Sequence, residues 1–129
     1  MSGFHTVEKI GGTSMTRFAD VMKNVIIGNR SGEELYNRIF VVSAYGGITN
    51  LLLENKKTGE PGIYGFFAKD SAEWRAALEK TREEMLRLNR TFEGVGLDVA
   101  EADDFVNQRL DGLIVSLENI MSLRTFGHF

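Results

Sequence analysis

The chain has no cysteine, a single proline (Pro61) and only two histidines, His5 and His128. Without cysteine there is no disulfide framework, no thiol nucleophile and no thiolate metal site. The two histidines stand at opposite ends, with no partner at ligand spacing, so no metal is expected. No apolar run approaches the length of a membrane span, and no signal-peptide pattern is visible. No basic cluster is present and the net charge is −3, which argues against a nucleic-acid binder. Internal repeats and low-complexity segments are absent too. The expectation is a soluble, cytoplasmic protein, and 129 residues suffice for one modest domain with a real core.

What is present concentrates between Thr6 and Asn50. Val7-Glu8-Lys9-Ile10 is a short, largely apolar run that stops at Gly11-Gly12-Thr13-Ser14. Ile39-Phe40-Val41-Val42 is a second run and stops at Ser43-Ala44-Tyr45-Gly46-Gly47, followed by Ile48-Thr49-Asn50. Each pattern is that of a buried strand ending in a tight loop that hands over to a helix. Glycines let a backbone approach a ligand, and the free N–H groups of a first helical turn attract anions. Lys9 ends the first strand, where an ammonium can reach a phosphate on that turn. Read blandly, Lys9 is a surface lysine, Ser14 a helix cap and Thr49 another cap. A cap and an anion site use the same N–H groups, so the two readings coexist. The Gly-Lys-Ser/Thr ending of a Walker loop is missing.

The remaining chain reads in order. Residues 5–10 form the first strand after a loose start over Met1–Phe4. Ser14 caps a helix carrying Phe18, Val21, Met22 and Val25 on one face, ended by Gly28. A short helical turn follows near Glu33–Asn37. Residues 39–44 form the second strand, apolar throughout as if both faces were covered, and parallel to the first. A helix over Ile48–Asn55, a polar loop over Lys56–Gly62 and a short helix over Ile63–Lys69 complete this part. Two long helices follow, capped by Asp70 with Glu73 and by Asp98 with Glu101. The first stripe is Trp74, Ala77, Leu78, Thr81, Met85, Leu88 and Phe92. The second is Val99, Ala102, Val106, Leu110, Leu113, Leu117, Ile120 and Met121, widened by Phe105 and Ile114. The linker Gly94-Val95-Gly96 is short, so the helices pair as an antiparallel hairpin.

The two loop motifs resemble those of the amino-acid kinase family, and within it the aspartate kinases. That family opens with a Lys-Phe-Gly-Gly-Thr-Ser type motif and continues to a Val-Ser-Ala-x-Gly-Gly-x-Thr-Asn type motif. Here Ile10 stands where Phe is usual, and Tyr45 where Met is common. His5–Met15 and Gly46–Tyr64 look most like the aspartate kinases encoded beside ectoine biosynthesis genes. The resemblance covers essentially the whole chain, most sharply residues 5–64. It implies an α/β fold: part of an amino-acid kinase (carbamate kinase-like) fold, with a short parallel sheet, flanking helices and a helical hairpin. Residues 1–69 would form the strand–helix–strand part and 70–129 the hairpin of the same domain. It implies ATP with Mg²⁺ and L-aspartate as the parent's cofactors and substrate, giving 4-phospho-L-aspartate. Lys9 would act on the nucleotide phosphates with Gly11, Gly12, Thr13 and Ser14. Ser43, Ala44, Gly46, Gly47, Thr49 and Asn50 would hold aspartate. Known aspartate kinases are much longer, so the resemblance implies an N-terminal piece that is inactive alone. Phe126-Gly127-His128 falls near the family's later Gly-Glu motif but lacks its Glu, and reads as the close of a helix. Two rivals stand beside this reading. One is a non-catalytic, homo-oligomerising α/β module. The other is an amino-acid kinase for glutamate or carbamate, which the Thr49-Asn50 pair disfavours.

Overall fold

The computed structural model describes residues 5–126. The expectations for Met1–Phe4 and for Gly127-His128 lie outside them. Strand β1 (Thr6–Ile10) pairs in parallel with β2 (Arg38–Val42), Thr6 opposite Arg38 and Ile10 opposite Val42. Between them run α1 (Gly12–Thr16), α2 (Phe18–Val21), a π-helical turn (Met22–Ile27) and a 3-10 turn (Gly32–Leu35). Then come α3 (Ile48–Leu52), α4 (Ile63–Ala68), α5 (Trp74–Thr91) and α6 (Val99–Phe126). The class is α/β, with a two-stranded parallel sheet and several helices. None of the described helices is long and apolar enough to cross a membrane.

The core lies in the helices. Ile63, Phe67, Trp74, Leu78, Val106 and Leu110 form one buried cluster across α4, α5 and α6. The hairpin is antiparallel: Arg75 bonds Glu118, Arg82 bonds Asp111 and Asn107, and Asn89 bonds Asp103, each step up α5 matched by a step down α6. The α5 stripe is the one that the 3.6-residue period predicts. The α6 stripe departs from it. Val106 and Leu110 are buried, but Phe105, Ile120 and Met121 are exposed. For Ile120 and Met121 the reason is length: α6 has 28 residues and α5 has 18, so the far end of α6 overhangs its partner. Phe105 lies instead under the Arg109 guanidinium, 5.0 Å from its ring centre.

Several local expectations need correction. The first turn is so tight that α1 begins at Gly12. Ser14 is therefore inside the helix, and no side chain caps it. The single helix expected after it breaks at Arg17 (φ −112°, ψ 39°) and then widens into the π turn. That widening leaves the Val25 and Ile26 carbonyls free to accept from Arg38. Helix α3 stops at Leu52, because the Leu53 carbonyl is taken by the amides of Gly62 (3.0 Å) and Gly65 (3.2 Å). Asp70 is not a cap. It sits in the left-handed region (φ 57°), and its carboxylate accepts from Arg124 at 2.8 Å. Helix α5 starts only at Trp74, after Ser71 Oγ accepts from the Glu73 amide at 3.3 Å. Asp98 does cap α6: its Oδ1 accepts from the Glu101 amide at 3.1 Å.

β2 also differs from the expectation of two covered faces. On one face Glu8, Ile10, Arg38 and Phe40 are wholly or partly buried. On the other, Val7, Lys9, Ile39 and Val41 are exposed, because the described helices cover only one side of the strand pair. The covered face is fastened by Arg38, whose side chain is 3% exposed. Its guanidinium grips both Glu8 oxygens at 2.5 Å, bonds the Val25 and Ile26 carbonyls and lies 4.7 Å over the Phe40 ring. The charged hydrogen bond from Arg38 holds the Glu8 carboxyl down at about 2, against an ordinary value of 4.5. A depressed carboxylate stabilises the fold above its unfolded pKa and loses that contribution as pH falls through its folded one. The window is thus pH 4.5 down to about 2. Urea unfolding between pH 5 and 2 is expected to show this loss in the parent chain, and a flatter profile in Glu8→Gln.

Candidate functional site

The two loops meet. β1 ends at Ile10, whose carbonyl accepts from the Ser43 amide at 3.0 Å, carrying the ladder one step beyond the strands. Beyond that point the first turn rises into α1 and the second into α3, side by side. A Cβ built on Gly12 would lie 3.2 Å from the Ala44 carbonyl oxygen and 3.5 Å from Gly46 Cα. A Cβ on Gly46 would lie 3.2 Å from the Gly12 carbonyl oxygen. Neither turn could approach the other this closely with a side chain in between. Gly47 adds a different demand: it caps α3 in the left-handed region (φ 84°), which L side chains rarely adopt. The cap reading of Thr49 therefore fails, because Gly47 occupies the cap position and no side chain bonds there.

Not every expected residue converges. Gly12 lies close to Ala44 and Gly46, within reach of a single added Cβ. Lys9, Thr13, Ser14, Ser43 and Thr49 are exposed. Among the described residues, no side chain forms an ion pair with Lys9. Lys9 lies on the bare face of the sheet, with Val41 as its strand partner. Thr13 and Ser14 line a hollow of about 220 Å³ with Arg17, which is held by Asp20 at 3.3 Å. Gly46 and Gly47 border a wider cavity of about 470 Å³, to which α5 contributes Lys80, Glu83, Glu84 and Arg87. Arg87 is bonded to Glu84 at 2.6 Å, which pulls the Glu84 carboxyl below its usual range. Asn50 lines a cavity of about 340 Å³ with Asn55 and Glu60. Leu51 and Lys80 line both this cavity and the one at Gly46 and Gly47.

Three residues of the sheet and the elements around the turns escape a reading of the sequence. Arg38 looks like an ordinary charge before a strand. Its burial becomes visible only once Glu8 and the π turn are placed. Asn89 hides inside the α5 stripe, yet it is 3% exposed and fully engaged. Tyr45 reads as a neutral replacement for Met, but its hydroxyl donates to Asn89 Oδ1 at 3.3 Å. Burial pushes the Tyr45 phenol up.

Comparison with known proteins agrees with the motifs. The chain is 51% identical over 127 residues to aspartate kinase Ask_Ect of Stutzerimonas stutzeri (strain A1501). By sequence the chain is similar to a stretch of an aspartate kinase. The matched stretch is 97% of this chain and 27% of that relative, so the chain spans about a quarter of the relative's length. No family model matches the chain, and no solved structure matches it.

The glycine geometry makes a graded prediction. Gly11 has φ −74° and nothing within 4 Å of a built Cβ, so Gly11→Ala is expected to hold or raise stability by about 0.4–1 kcal/mol. Gly47→Ala should cost about 1–2 kcal/mol through its left-handed backbone. Gly46→Ala should also destabilise, since the nearest atom, the Gly12 carbonyl oxygen at 3.2 Å, is backbone and must give. Urea unfolding of the three variants ranks them; equal midpoints would contradict the packing of the turns.

Proposed function

We propose that this chain forms the strand–turn–helix part of an aspartate kinase, an enzyme that uses ATP to phosphorylate the side-chain carboxylate of L-aspartate, giving 4-phospho-L-aspartate. The observation that carries the reading is the backbone contact between the Gly11–Ser14 and Ser43–Gly47 turns, at Gly12 and Gly46. A phosphate-binding turn and an acceptor-binding turn must sit this close for one group to pass between their ligands. The first turn and Lys9 would face the nucleotide phosphates, with Thr13 and Ser14 hydroxyls beside them. Ser43, the Gly46-Gly47 turn and Thr49 would face aspartate, with Ala44 keeping the space clear and Asn50 bracing the start of α3. Phosphoryl transfer asks the protein mainly for positioning and charge stabilisation, which suits a lysine and backbone amides. ATP supplies the phosphoryl group. Among the described residues no cluster of three acidic or histidine side chains could hold a metal, so Mg²⁺ is assigned to none of them.

The division into residues 1–69 and 70–129, the amino-acid kinase fold, a cytoplasmic setting and a place in ectoine or aspartate-family synthesis belong to the same proposal. So does the absence of turnover by this chain alone: nearly three quarters of the relative has no counterpart here. Phosphate titrated into the labelled chain should shift the amides of Gly11–Ser14 first, and L-aspartate those of Ser43–Thr49. A coupled assay should find no aspartate-dependent ADP release. Small uniform shifts across the chain, or turnover that Lys9→Ala abolishes, would each defeat one half of the reading.

The second reading, a self-associating α/β module, is favoured by one observation. Val7, Ile39 and Val41 are 68%, 52% and 49% exposed on one sheet face. Burying a large apolar side chain contributes roughly 1.5–3 kcal/mol, so three such residues suffice to drive pairing between copies. Light scattering across a hundredfold range of concentration should detect a dimer or larger species. A monomer throughout would remove this reading and the homo-oligomer expected of the kinase piece.

A further inference from the structure

Three separate elements converge on the residue just before Gly46. The Tyr45 ring lies 5.5 Å from Phe92 at the end of α5, and Phe92 meets Phe18 of α2 edge-on at 6.0 Å. The Tyr45 hydroxyl donates to Asn89 Oδ1 at 3.3 Å, and Asn89 Nδ2 donates to Asp103 Oδ1 at 3.1 Å. Asn89 is 3% exposed, so an unmet amide there would be costly. This gives the amide two partners on different elements: a loop hydroxyl on one side and Asp103, one turn into α6, on the other. Tyr45 in turn accepts the Ile48 amide at its own carbonyl, 3.3 Å away, inside the turn itself.

We propose that Tyr45 is a positioning residue: through Asn89 and Asp103 the helical hairpin sets the placement of the Gly46-Gly47 turn. Tyr45 acts through its neighbours and belongs to none of the groups that would face a ligand. What the turn holds rests on the aspartate-kinase reading; how the turn is held does not. The ring alone would give a hydrophobic anchor free to slide over Phe92. The hydroxyl fixes one direction, because its acceptor is a side-chain amide oriented by a carboxylate. The hairpin is thus a ruler for the loop as well as a cover for the core.

Tyr45→Phe keeps the ring and removes the hydroxyl. Hydrogen exchange at the Ile48 and Leu51 amides, which bond within this turn and α3, should speed up roughly three- to tenfold, the effect of one lost hydrogen bond. Exchange at Leu78 and Thr81 in the buried centre of α5 should not change. Asn89→Leu should give the same local effect, and the double variant no more than either alone. Unchanged rates at Ile48 and Leu51, or an equal rise at Leu78 and Thr81, would overturn the proposal. L-Aspartate titrated into the parent chain separates the two claims. No shift at Ser43–Thr49, with the exchange pattern intact, would end the aspartate reading and leave the positioning role standing.

Discussion

The sheet's exits depend on the absence of side chains where Gly12 and Gly46 face each other. Parallel strands place their C-terminal ends on one edge. The chain must then leave both ends at once through the same small volume. The exits come closest where Gly12 and Gly46 carry no side chain. The Ile10–Ser43 hydrogen bond keeps the exits in register, and the left-handed Gly47 turns the second one into α3. From there α3 lies against α5, α4 folds back onto the hairpin, and the core fills from Ile63 to Leu110.

Polar contacts outside that core select a register more than they supply energy. Arg82 is the clearest case. It is 14% exposed and bonds Glu79 on its own helix and Asn107 and Asp111 across the hairpin. Exposed pairs such as Arg75–Glu118 contribute little by themselves. A shift of α6 by one turn would nonetheless break all of these cross-helix contacts together. At the other end of the hairpin, Arg124 bonds the Phe67 carbonyl and Asp70 and lies 4.3 Å over the Phe67 ring. It ties the overhanging end of α6 to the bend before α5.

Much of this was legible in residue order. Two apolar runs ending at glycines gave the parallel strands and both turns. The 3.6-residue period gave α5, and the short Gly94-Val95-Gly96 linker gave the direction of the hairpin. The missing parts share a physical cause: they depend on partners distant in sequence. Asp70 looks like a cap because its local pattern is one, and only Arg124, 54 residues away, draws it elsewhere. Arg38 needs Glu8, 30 residues back, and Tyr45 needs Asn89, 44 residues on. The α6 stripe overran because periodicity describes the face of a helix and not the length of its neighbour. In the candidate site, the meeting of the turns followed from two parallel strands. That Asn50 lines a cavity with Asn55 and Glu60 depended on where α3 packs, which no motif encodes.

Burial is distributed unevenly along the chain. Among the described residues, Ile10 is the only buried apolar residue before position 48, and the others lie between Ile48 and Leu110. Segments with few buried contacts open at lower free energy than the global transition. The strands and both glycine turns therefore form the softer cooperative unit, resting on a hairpin that outlasts them. A ligand bridging the two turns would join parts of that unit and slow its opening, so occupancy and local order would rise together. In such a molecule the glycines that permit the close approach also set the entropic cost of ordering it, and binding energy is spent first on completing the site.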